Sequence, residues 1–398
     1  MLIIFLLIKK INMFNINLIN SKDKMTKIER VLATLNFKET DRVAIFDLME
    51  NPGAIEYFSG ERLKSPEYNE YNLKVVCKAI SNSLDLTRSV YAPRKSMVFT
   101  NDLGFTVRQE AWTSWIEKRP FNNLKEAEDF IKKLIELIKK SDRLSHWNYF
   151  GEAGYDKTSL EDFKNIKKLV GDTVVFLSES VMLTTLYGML GIDNFSLLYV
   201  ENPGLISECL EELTNHEIER IKLIVDPSLS PLALPADDIA YKNGLIFSPA
   251  FLKKEFFPRY KRIVEAYHSQ DLKCIFHSDG NFMQIMDDLV DAGVDGVNPI
   301  EPLAGWDLID VRKKYPRLVL MGNIDVSQLL SFGTQDKVRV AVKKAIDDIY
   351  PTGGLLLGSS TELGPYLNPE NVVTMNLFAK EYSRIKPFKP RDISEISI

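Results

Sequence analysis

The segment KCIFHSDGN, residues 273–281, combines residue types that can carry out chemistry at the end of an apolar run. The run stops at His277, and Asp279 follows two residues later, before a glycine. An imidazole and a carboxylate at this spacing can bind a divalent metal ion or act as a general acid and base. A lone histidine is often a hydrogen-bonded core residue, but the position of His277 at a strand end favours a functional role.

Similar polar residues follow six other short apolar segments of the chain. Buried carboxylates without partners are costly, so this recurrence predicts one shared polar pocket. The alternative for several of them is a structural role, such as capping the helix that follows. We predict catalytic roles for His277, Asp279 and Glu179, and substrate binding by a larger set: Asp47, Asn51, Asp238, Asn298, Glu301, Asn323, Ser360 and Glu362.

The elements that must position these residues are eight short apolar segments, separated mostly by amphipathic helical sequence. Their near-continuous apolar character is typical of parallel strands buried on both faces. Eight alternating units predict an α/β fold of the (β/α)8 TIM barrel type, with its active site at the C-terminal ends of the strands. A Rossmann-type sheet is the alternative, but no GxGxxG motif follows any strand. The predicted strands are 42–47, 86–91, 173–178, 232–238, 273–279, 295–301, 318–325 and 354–360.

Two regions depart from this alternation. Residues 96–118 are predicted to form a β-hairpin of two strands, inserted after strand two, and residues 122–170 to form charged helices that cover the barrel or cap its mouth. Residues 1–24 are predicted to be an extension without function, because their apolar run is too short to span a bilayer and lacks the features of a signal peptide. A single barrel domain is predicted over residues 25–390.

Composition and charge narrow the possible functions. The net charge is −5 and there is no basic stripe, so no nucleic-acid partner is expected. The three cysteines are far apart, which fits a reducing cytosol better than a disulfide framework, and we expect a cytoplasmic protein without a membrane partner. The remaining histidines, His146, His216 and His268, lie in charged helical sequence and are predicted to be on the surface. The oligomeric state is not fixed by the sequence.

Six collinear segments, from Met25 to about Arg384, resemble the uroporphyrinogen decarboxylase superfamily. The resemblance implies a (β/α)8 barrel. The segments are MTKIERVLATLNFKETDRVAIF (25–46), DDIAYKNGLIFSPAFLKKEFFPRYKRIVEA (237–266), FHSDGN (276–281), AGVDGVNPIEPLAGWDL (292–308), LMGNIDVSQLLSFGT (320–334) and GSSTELGPYLNPENV (358–372).

The superfamily contains true decarboxylases and also cobamide-dependent methyltransferases, which work with a small corrinoid protein. In the decarboxylases an arginine-rich segment after strand one binds substrate carboxylates, whereas the chain reads DLMENPGAIEYF (47–58) there, without arginine. Their aspartate after strand two is also missing from SVYAPR (89–94). Because an acidic pocket repels a polycarboxylate substrate, the resemblance is nearer to the methyltransferase branch.

The methyltransferase branch typically has a zinc site made of His-x-Cys after strand five and a cysteine after strand eight. The chain has His277-x-Asp279 at the first position and serines near the second. The resemblance therefore implies zinc ligation by His277 and Asp279, with Glu301 or Glu362 available to complete the set. An oxygen-rich site of this kind is less suited to activating a thiol than the family pattern, which leaves an ether or amine substrate open.

The first interpretation is a cobamide-dependent methyltransferase that acts on a small substrate, with methylcobamide carried by a partner corrinoid protein. One alternative is uroporphyrinogen decarboxylase or a related lyase, which needs no cofactor. A second alternative is a barrel that binds a ligand without catalysis.

Overall fold

A closed ring of parallel strands forms the centre of the protein in the computed structural model, which describes residues 23–148 and 160–385. We number these barrel strands 1 to 8 in chain order. They are Ala44–Ile45, Leu86–Thr87, Val174–Val175 continued by Leu177–Ser180, Leu232–Ala236, Lys273–His277, Gly296–Asn298, Val319–Ile324 and Leu355–Ser359.

Two separate pairings close the ring. The second segment of strand 3, strands 4 to 8 and strand 1 form one seven-stranded sheet in that order. Strand 2 pairs with the first segment of strand 3 through Leu86 and Val174, and Phe46, which follows strand 1, bridges to Leu86. Each predicted strand overlaps an observed one, so the prediction of a (β/α)8 barrel is confirmed.

Helices surround the ring, and local sequence sets their ends. The first helix begins at Lys27 because the Thr26 hydroxyl accepts a hydrogen bond from the Glu29 backbone while the Glu29 carboxylate accepts one from the Thr26 backbone. No described helix is long and apolar enough to cross a membrane. The main helices are Lys27–Leu35, Pro52–Ser59, Asn69–Ser83, Leu124–Lys140, Leu160–Val170, Leu183–Leu190, Ile192–Glu201, Pro203–Ile224, Phe257–His268, Met286–Asp291, Leu308–Lys314, Gln335–Ile349 and Pro369–Ile385.

The barrel separates two apolar cores. Successive side chains of a strand point to opposite faces, so every second residue enters the interior. Leu232 and Leu234 of strand 4 and Ile275 of strand 5 belong to the interior core, whereas Ala233 and Cys274 pack in the larger core between strands and helices. This alternation also indicates which polar residues face inward beyond the strand ends.

Buried charges lie at the N-terminal end of the barrel. Asp85 is fully buried and accepts hydrogen bonds from Arg30 and Arg42, at 2.7 and 2.6 Å. Although burial alone raises the pKa of Asp85, the two arginines lower it well below its usual range. Asp23 pairs with Arg42 at 2.9 Å, so a residue just before the predicted domain boundary contacts the barrel. Residues 1–22, most of the predicted extension, lie outside the described residues.

The insertion after strand 2 contains one strand more than predicted. Met97–Thr100 and Thr106–Gln109 form the expected antiparallel hairpin, and Ser114–Lys118 pairs with the second of these strands. A turn between Glu110 and Thr113, closed by a backbone hydrogen bond of 2.8 Å, separates the last two strands. The sequence prediction merged these two strands into one.

The helical part of the insertion lies on the flank of the barrel. Leu124–Lys140 packs against Pro203–Ile224, and Leu160–Val170 packs against Asn69–Ser83. Both partner helices belong to the outer layer, so the described helices of the insertion cover the side of the barrel. The connecting residues 149–159 lie outside the described residues, and a cap over the mouth stays a prediction.

Candidate functional site

Two carboxylates and an imidazole meet at the C-terminal ends of strands 4 and 5. Strand 5 ends at His277, which lies on the same inward face as Ile275. Nε2 of His277 is 3.9 Å from Oδ1 of Asp238 and 3.8 Å from Oδ1 of Asp279. One potential ligand atom from each residue lies within 4.8 Å of the others. The predicted pair His277 and Asp279 is therefore brought together, and Asp238 joins it; we call these three residues the His277 group.

A neighbouring amide fixes the orientation of the imidazole. Nδ1 of His277 lies 2.6 Å from Oδ1 of Asn298, whose Nδ2 donates to the Met321 carbonyl at 3.1 Å. Because this bond to Met321 directs the amide nitrogen away from the ring, the amide oxygen accepts a hydrogen bond from the N–H at Nδ1. With Nδ1 donating, the neutral tautomer of the ring is the one that leaves Nε2, which faces the two carboxylates, free to bind a metal ion. Asn298, predicted to bind substrate, instead positions the histidine.

The turn after strand 5 holds Asp279 with one oxygen poorly satisfied. Its Oδ1 is buried and makes no hydrogen bond to any described residue, although the side chain as a whole is half exposed. The backbone N–H of Asp279 donates to Oδ1 of Asp238 at 3.1 Å, which couples the two loops. Burial raises the pKa of Asp279, and the negative charge of Asp238 acts in the same direction.

Gly280 allows this turn to pack closely. Its φ is +84°, and a Cβ at this position would lie 2.5–2.6 Å from the backbone of Tyr241, in the loop after strand 4. The Gly280 N–H donates to Oε1 of Glu301 at 2.7 Å, and its carbonyl accepts from Nε1 of Trp306 at 2.9 Å. Glu301 thus lies beside the His277 group, and burial raises its pKa, with the nearby charge of Asp279 adding to the effect.

The opposite side of the pocket, at the ends of strands 1, 2 and 8, contains arginine. Nη2 of Arg88 donates to Oε2 of Glu362 at 3.1 Å. The charge of Arg88 lowers the pKa of Asp279, and the charge of Glu362 raises it. Arg88 is not among the residues predicted from sequence, and its guanidinium adds positive charge to a pocket that was expected to be acidic. Alternation supplies the signal that was overlooked, because Leu86 faces the interior and Arg88 comes two residues later.

Two of the predicted substrate-binding residues lie at the ends of strands 7 and 8. Asn323 follows the inward-facing Met321 by two residues, and its side chain makes no hydrogen bond to a described residue. Ser360 is buried, and its hydroxyl accepts a hydrogen bond from the Val326 backbone at 3.2 Å. Asn323 stays a predicted substrate contact, whereas the Ser360 hydroxyl already connects two loops.

Two other predicted residues are occupied by the protein itself. Asp47 is fully buried and accepts hydrogen bonds from the hydroxyl and backbone N–H of Ser359, at 2.6 and 3.0 Å. Asn51 caps the helix Pro52–Ser59 through the Ala54 N–H, and its amide donates to two backbone carbonyls. The polar atoms of Asp47 and Asn51 form hydrogen bonds that connect the ends of strands 1 and 8, and we do not propose these two residues as substrate ligands.

Glu179 does not face the pocket. It lies between inward-facing neighbours on strand 3, so its side chain points outward, where Nη2 of Arg220 donates to it at 2.8 Å. Glu217 and His146 complete a buried cluster. Although burial alone raises the pKa of Glu179, Arg220 lowers it. The predicted catalytic role of Glu179 is therefore not supported, because its carboxylate neutralises a buried guanidinium.

The three histidines predicted to be exposed fall into two groups. His146 and His216 are buried, and only His268 is substantially exposed, where it pairs with Asp295 at 2.8 Å. Nε2 of His146 is 3.1 Å from the Ser180 carbonyl, a contact in which the nitrogen must donate. That nitrogen is not available to a metal ion, so the His146 cluster is an ion-pair network and the His277 group is the better candidate for a metal site.

Comparison with known proteins agrees with this architecture. Residues 146–382 match the family model described as uroporphyrinogen decarboxylase (URO-D), which is more than half of the chain. The chain is 22% identical over 228 residues to the methylcobamide:CoM methyltransferase MtbA of Methanosarcina mazei, covering 56% of the chain and 64% of that protein, less than two thirds of its length. A solved structure titled as a methyltransferase from Methanosarcina mazei superposes with a TM-score of 0.65 at 18% identity, covering 90% of the chain and 99% of that structure, and shows the same fold.

Proposed function

The chain belongs to the uroporphyrinogen decarboxylase (URO-D) family, and from this premise we propose that it is a cobamide-dependent methyltransferase acting on a small substrate. The observation that carries the proposal is the His277 group, at the end of the barrel where enzymes of this fold place their chemistry. The similarity to a curated methylcobamide:CoM methyltransferase supports the same branch of the family.

The His277 group fits the zinc ion that the resemblance implies. In its neutral form the imidazole, whose Nδ1 donates to Asn298, offers Nε2 as a ligand, and the buried Oδ1 of Asp279 makes no hydrogen bond to a described residue. Together with Asp238 they offer one nitrogen and two carboxylate ligands, a donor set that zinc accepts. When bound, zinc would supply a Lewis acid that polarises the heteroatom of the substrate.

The chain's own residues fix the geometry of this site. Asn298 holds the His277 ring in one tautomer and one orientation, and Gly280 allows the Asp279 turn to pack against the loop after strand 4. Glu301 is restrained through the Gly280 N–H and lies where it can orient a substrate or complete a ligand set. The apolar interior core closes the floor of the pocket below these groups.

The second reactant is proposed to be a cobamide held by a small corrinoid protein in the cytoplasm. The name of the curated relative gives methylcobamide as one of its reactants, and we extend this to the chain. We favour an ether or amine as the small substrate, because the oxygen-rich His277 group is harder than the cysteine-containing site of the family pattern.

The test is methyl transfer to free cobalamin. The purified protein, loaded with zinc, is incubated with cob(I)alamin and a panel of methoxylated and N-methylated compounds, and methylcobalamin is followed by its absorption. We expect product with at least one compound, its loss in His277→Ala, and its retention in His268→Ala, which removes an exposed histidine. Product formation that is unchanged in His277→Ala would contradict the proposed site.

Decarboxylation of uroporphyrinogen is the second candidate, favoured by one observation. The charges of Arg88 and Arg94 act on the buried Glu50 beside the pocket, so the site has positive charge that the sequence analysis did not anticipate. Incubation with uroporphyrinogen and detection of coproporphyrinogen tests this alternative. We expect no product, because carboxylates outnumber these arginines around the pocket; product that is lost in Arg88→Gln would replace the methyltransferase proposal.

A further inference from the structure

A second ionisable group lies opposite the His277 group, at the ends of strands 1, 2 and 8. Arg88 is paired with Glu362 at 3.1 Å, as described above. Glu50 follows strand 1, and its backbone N–H donates to the Leu363 carbonyl at 3.1 Å, which places it next to the strand 8 loop. The pocket therefore has one side with the proposed metal site and another side with two carboxyl groups, one of which is paired with Arg88.

Glu50 is largely buried, and no described residue donates a hydrogen bond to its carboxyl group. The residue is 5% exposed and makes no hydrogen bond or ion pair with another described side chain. Arg88 already donates to Glu362, so its charge is shared with a competing carboxylate. An unpaired buried carboxylate is costly, and a carboxylic acid is the form that such a site stabilises.

Burial and the nearby charges together favour the protonated form of Glu50. Burial, followed by the negative charge of Glu362, raises the pKa of Glu50 to about 8, while Arg88 and Arg94 act in the opposite direction. Tyr366 is close enough to both sides of the pocket to respond to their charges. Burial raises its pKa, and the charges of Glu362, Glu50 and Asp279 add to the effect. Glu50 and the His277 group therefore act on one pocket from two sides.

We propose that Glu50 is the proton donor of the pocket and serves substrates whose methyl group is bonded to oxygen or nitrogen. The assignment rests on the proposed function and deepens it. In the step, the bond between the methyl carbon and the heteroatom breaks and its electron pair stays on the heteroatom. The methyl group passes without that pair to the reduced cobalt of the partner cobamide, which supplies the electrons of the new bond. The Glu50 proton forms the O–H or N–H bond, and water restores it afterwards.

The protonation of Glu50 also selects the direction of the chemistry. A carboxylic acid can give a proton but cannot accept one. This side of the pocket therefore suits a leaving group that needs a proton, such as an alkoxide, a phenolate or the anion of an amine. Methylation of a thiol needs a proton to be removed instead. Glu50 and the oxygen-rich His277 group thus favour the same class, O-methyl and N-methyl compounds.

Infrared spectroscopy tests the protonation without using activity. The carbonyl stretch of a protonated carboxylic acid is followed by pH-difference spectra of the wild type, Glu50→Gln, Glu362→Gln and Glu301→Gln. We expect a band in the wild type that disappears with a midpoint near pH 8 and is absent from Glu50→Gln. Asp47 and Asp237 have pKa values raised by burial to about 7 and contribute bands of their own, which remain in Glu50→Gln.

The other two variants give the assignment a second, independent basis. Glu362→Gln keeps Glu50 but removes the nearby negative charge, so the midpoint should fall. Glu301→Gln, on the opposite side of the pocket, should leave the midpoint unchanged. A wild-type spectrum identical to that of Glu50→Gln at pH 6, or a midpoint that does not respond to Glu362→Gln, would overturn the assignment.

The leaving group of the substrate provides the kinetic readout. Glu50→Gln should slow methyl transfer from an alkyl methyl ether about 100-fold or more, the usual contribution of a general acid. Transfer from a quaternary methylammonium compound, which leaves as a neutral amine and needs no proton, should change less than about threefold. Equal slowing of both substrates would overturn the role of Glu50. Absence of all methyl transfer would refute the proposed function, while the infrared result still decides the state of Glu50.

Discussion

Removing the side chain of Asn298 tests whether the structure has identified how His277 is held. In Asn298→Ala the ring loses the acceptor of its Nδ1–H, now at 2.6 Å, and Met321 loses the donor to its carbonyl. Loss of such an orienting partner typically reduces metal affinity about 10–100-fold, or about 1.4–2.8 kcal/mol. Two buried hydrogen bonds are also lost, so the free energy of unfolding should fall by about 1–3 kcal/mol.

The assay is competition for zinc between the protein and a chelating dye, with stability measured separately by urea unfolding. Asn371→Ala is the matched control, because Asn371 is also buried and donates its amide to backbone carbonyls, including that of Gly333 at 2.8 Å, away from the His277 group. We expect both variants to lose stability and only Asn298→Ala to lose zinc affinity. A folded Asn298→Ala protein with zinc affinity within about twofold of the wild type would refute the argument.

Two further predictions concern predicted site residues that the structure assigns to other roles. Burial raises the pKa of Asp47 from 3.8 to about 7, so the stability that this group contributes is complete below about pH 4 and is lost as the pH rises to about 7. In urea unfolding, the free energy of unfolding of the wild type should fall relative to that of Asp47→Asn by up to about 1.4 kcal/mol per pH unit over that window. A difference between the two proteins that does not depend on pH would contradict this. Glu179→Ala should lower the free energy of unfolding by about 3–5 kcal/mol, because it leaves Arg220 buried with Glu217 as its nearest remaining carboxylate; unchanged stability with lost turnover would instead restore the catalytic role predicted from sequence.

The barrel could be predicted from sequence because its strands are apolar on both faces and recur eight times. The insertion was less regular: its last two strands are separated by a short turn without a strong glycine or proline signal, and they were merged into one. Buried histidines were also missed, because His216 lies in charged helical sequence, although two of these charged residues, Glu217 and Arg220, are themselves buried with it. Local composition does not reveal which face of an amphipathic helix contains a given polar residue.

The sequence predicts where the site lies in the barrel, but it identifies only some of the residues that form it. Strand-end location identified His277, Asp279 and Asp238 correctly as neighbours, yet it did not separate inward from outward side chains. Counting by twos along strand 3 would have placed Glu179 on the outer face, and counting from Leu86 would have placed Arg88 inside. Partnerships between distant residues, such as Glu179 with an arginine on a later helix, depend on packing and have no local signal.

The measurement that tests the central claim most directly is metal content by mass spectrometry of wild type, His277→Ala and His268→Ala, each reconstituted with zinc and freed of excess metal. His268→Ala is the control because His268 lies outside the pocket and pairs with Asp295. The proposed site predicts about one equivalent of zinc in the wild type and in His268→Ala, and its loss in His277→Ala. No bound metal in the wild type, or equal amounts in all three proteins, would contradict a metal site at His277, Asp238 and Asp279.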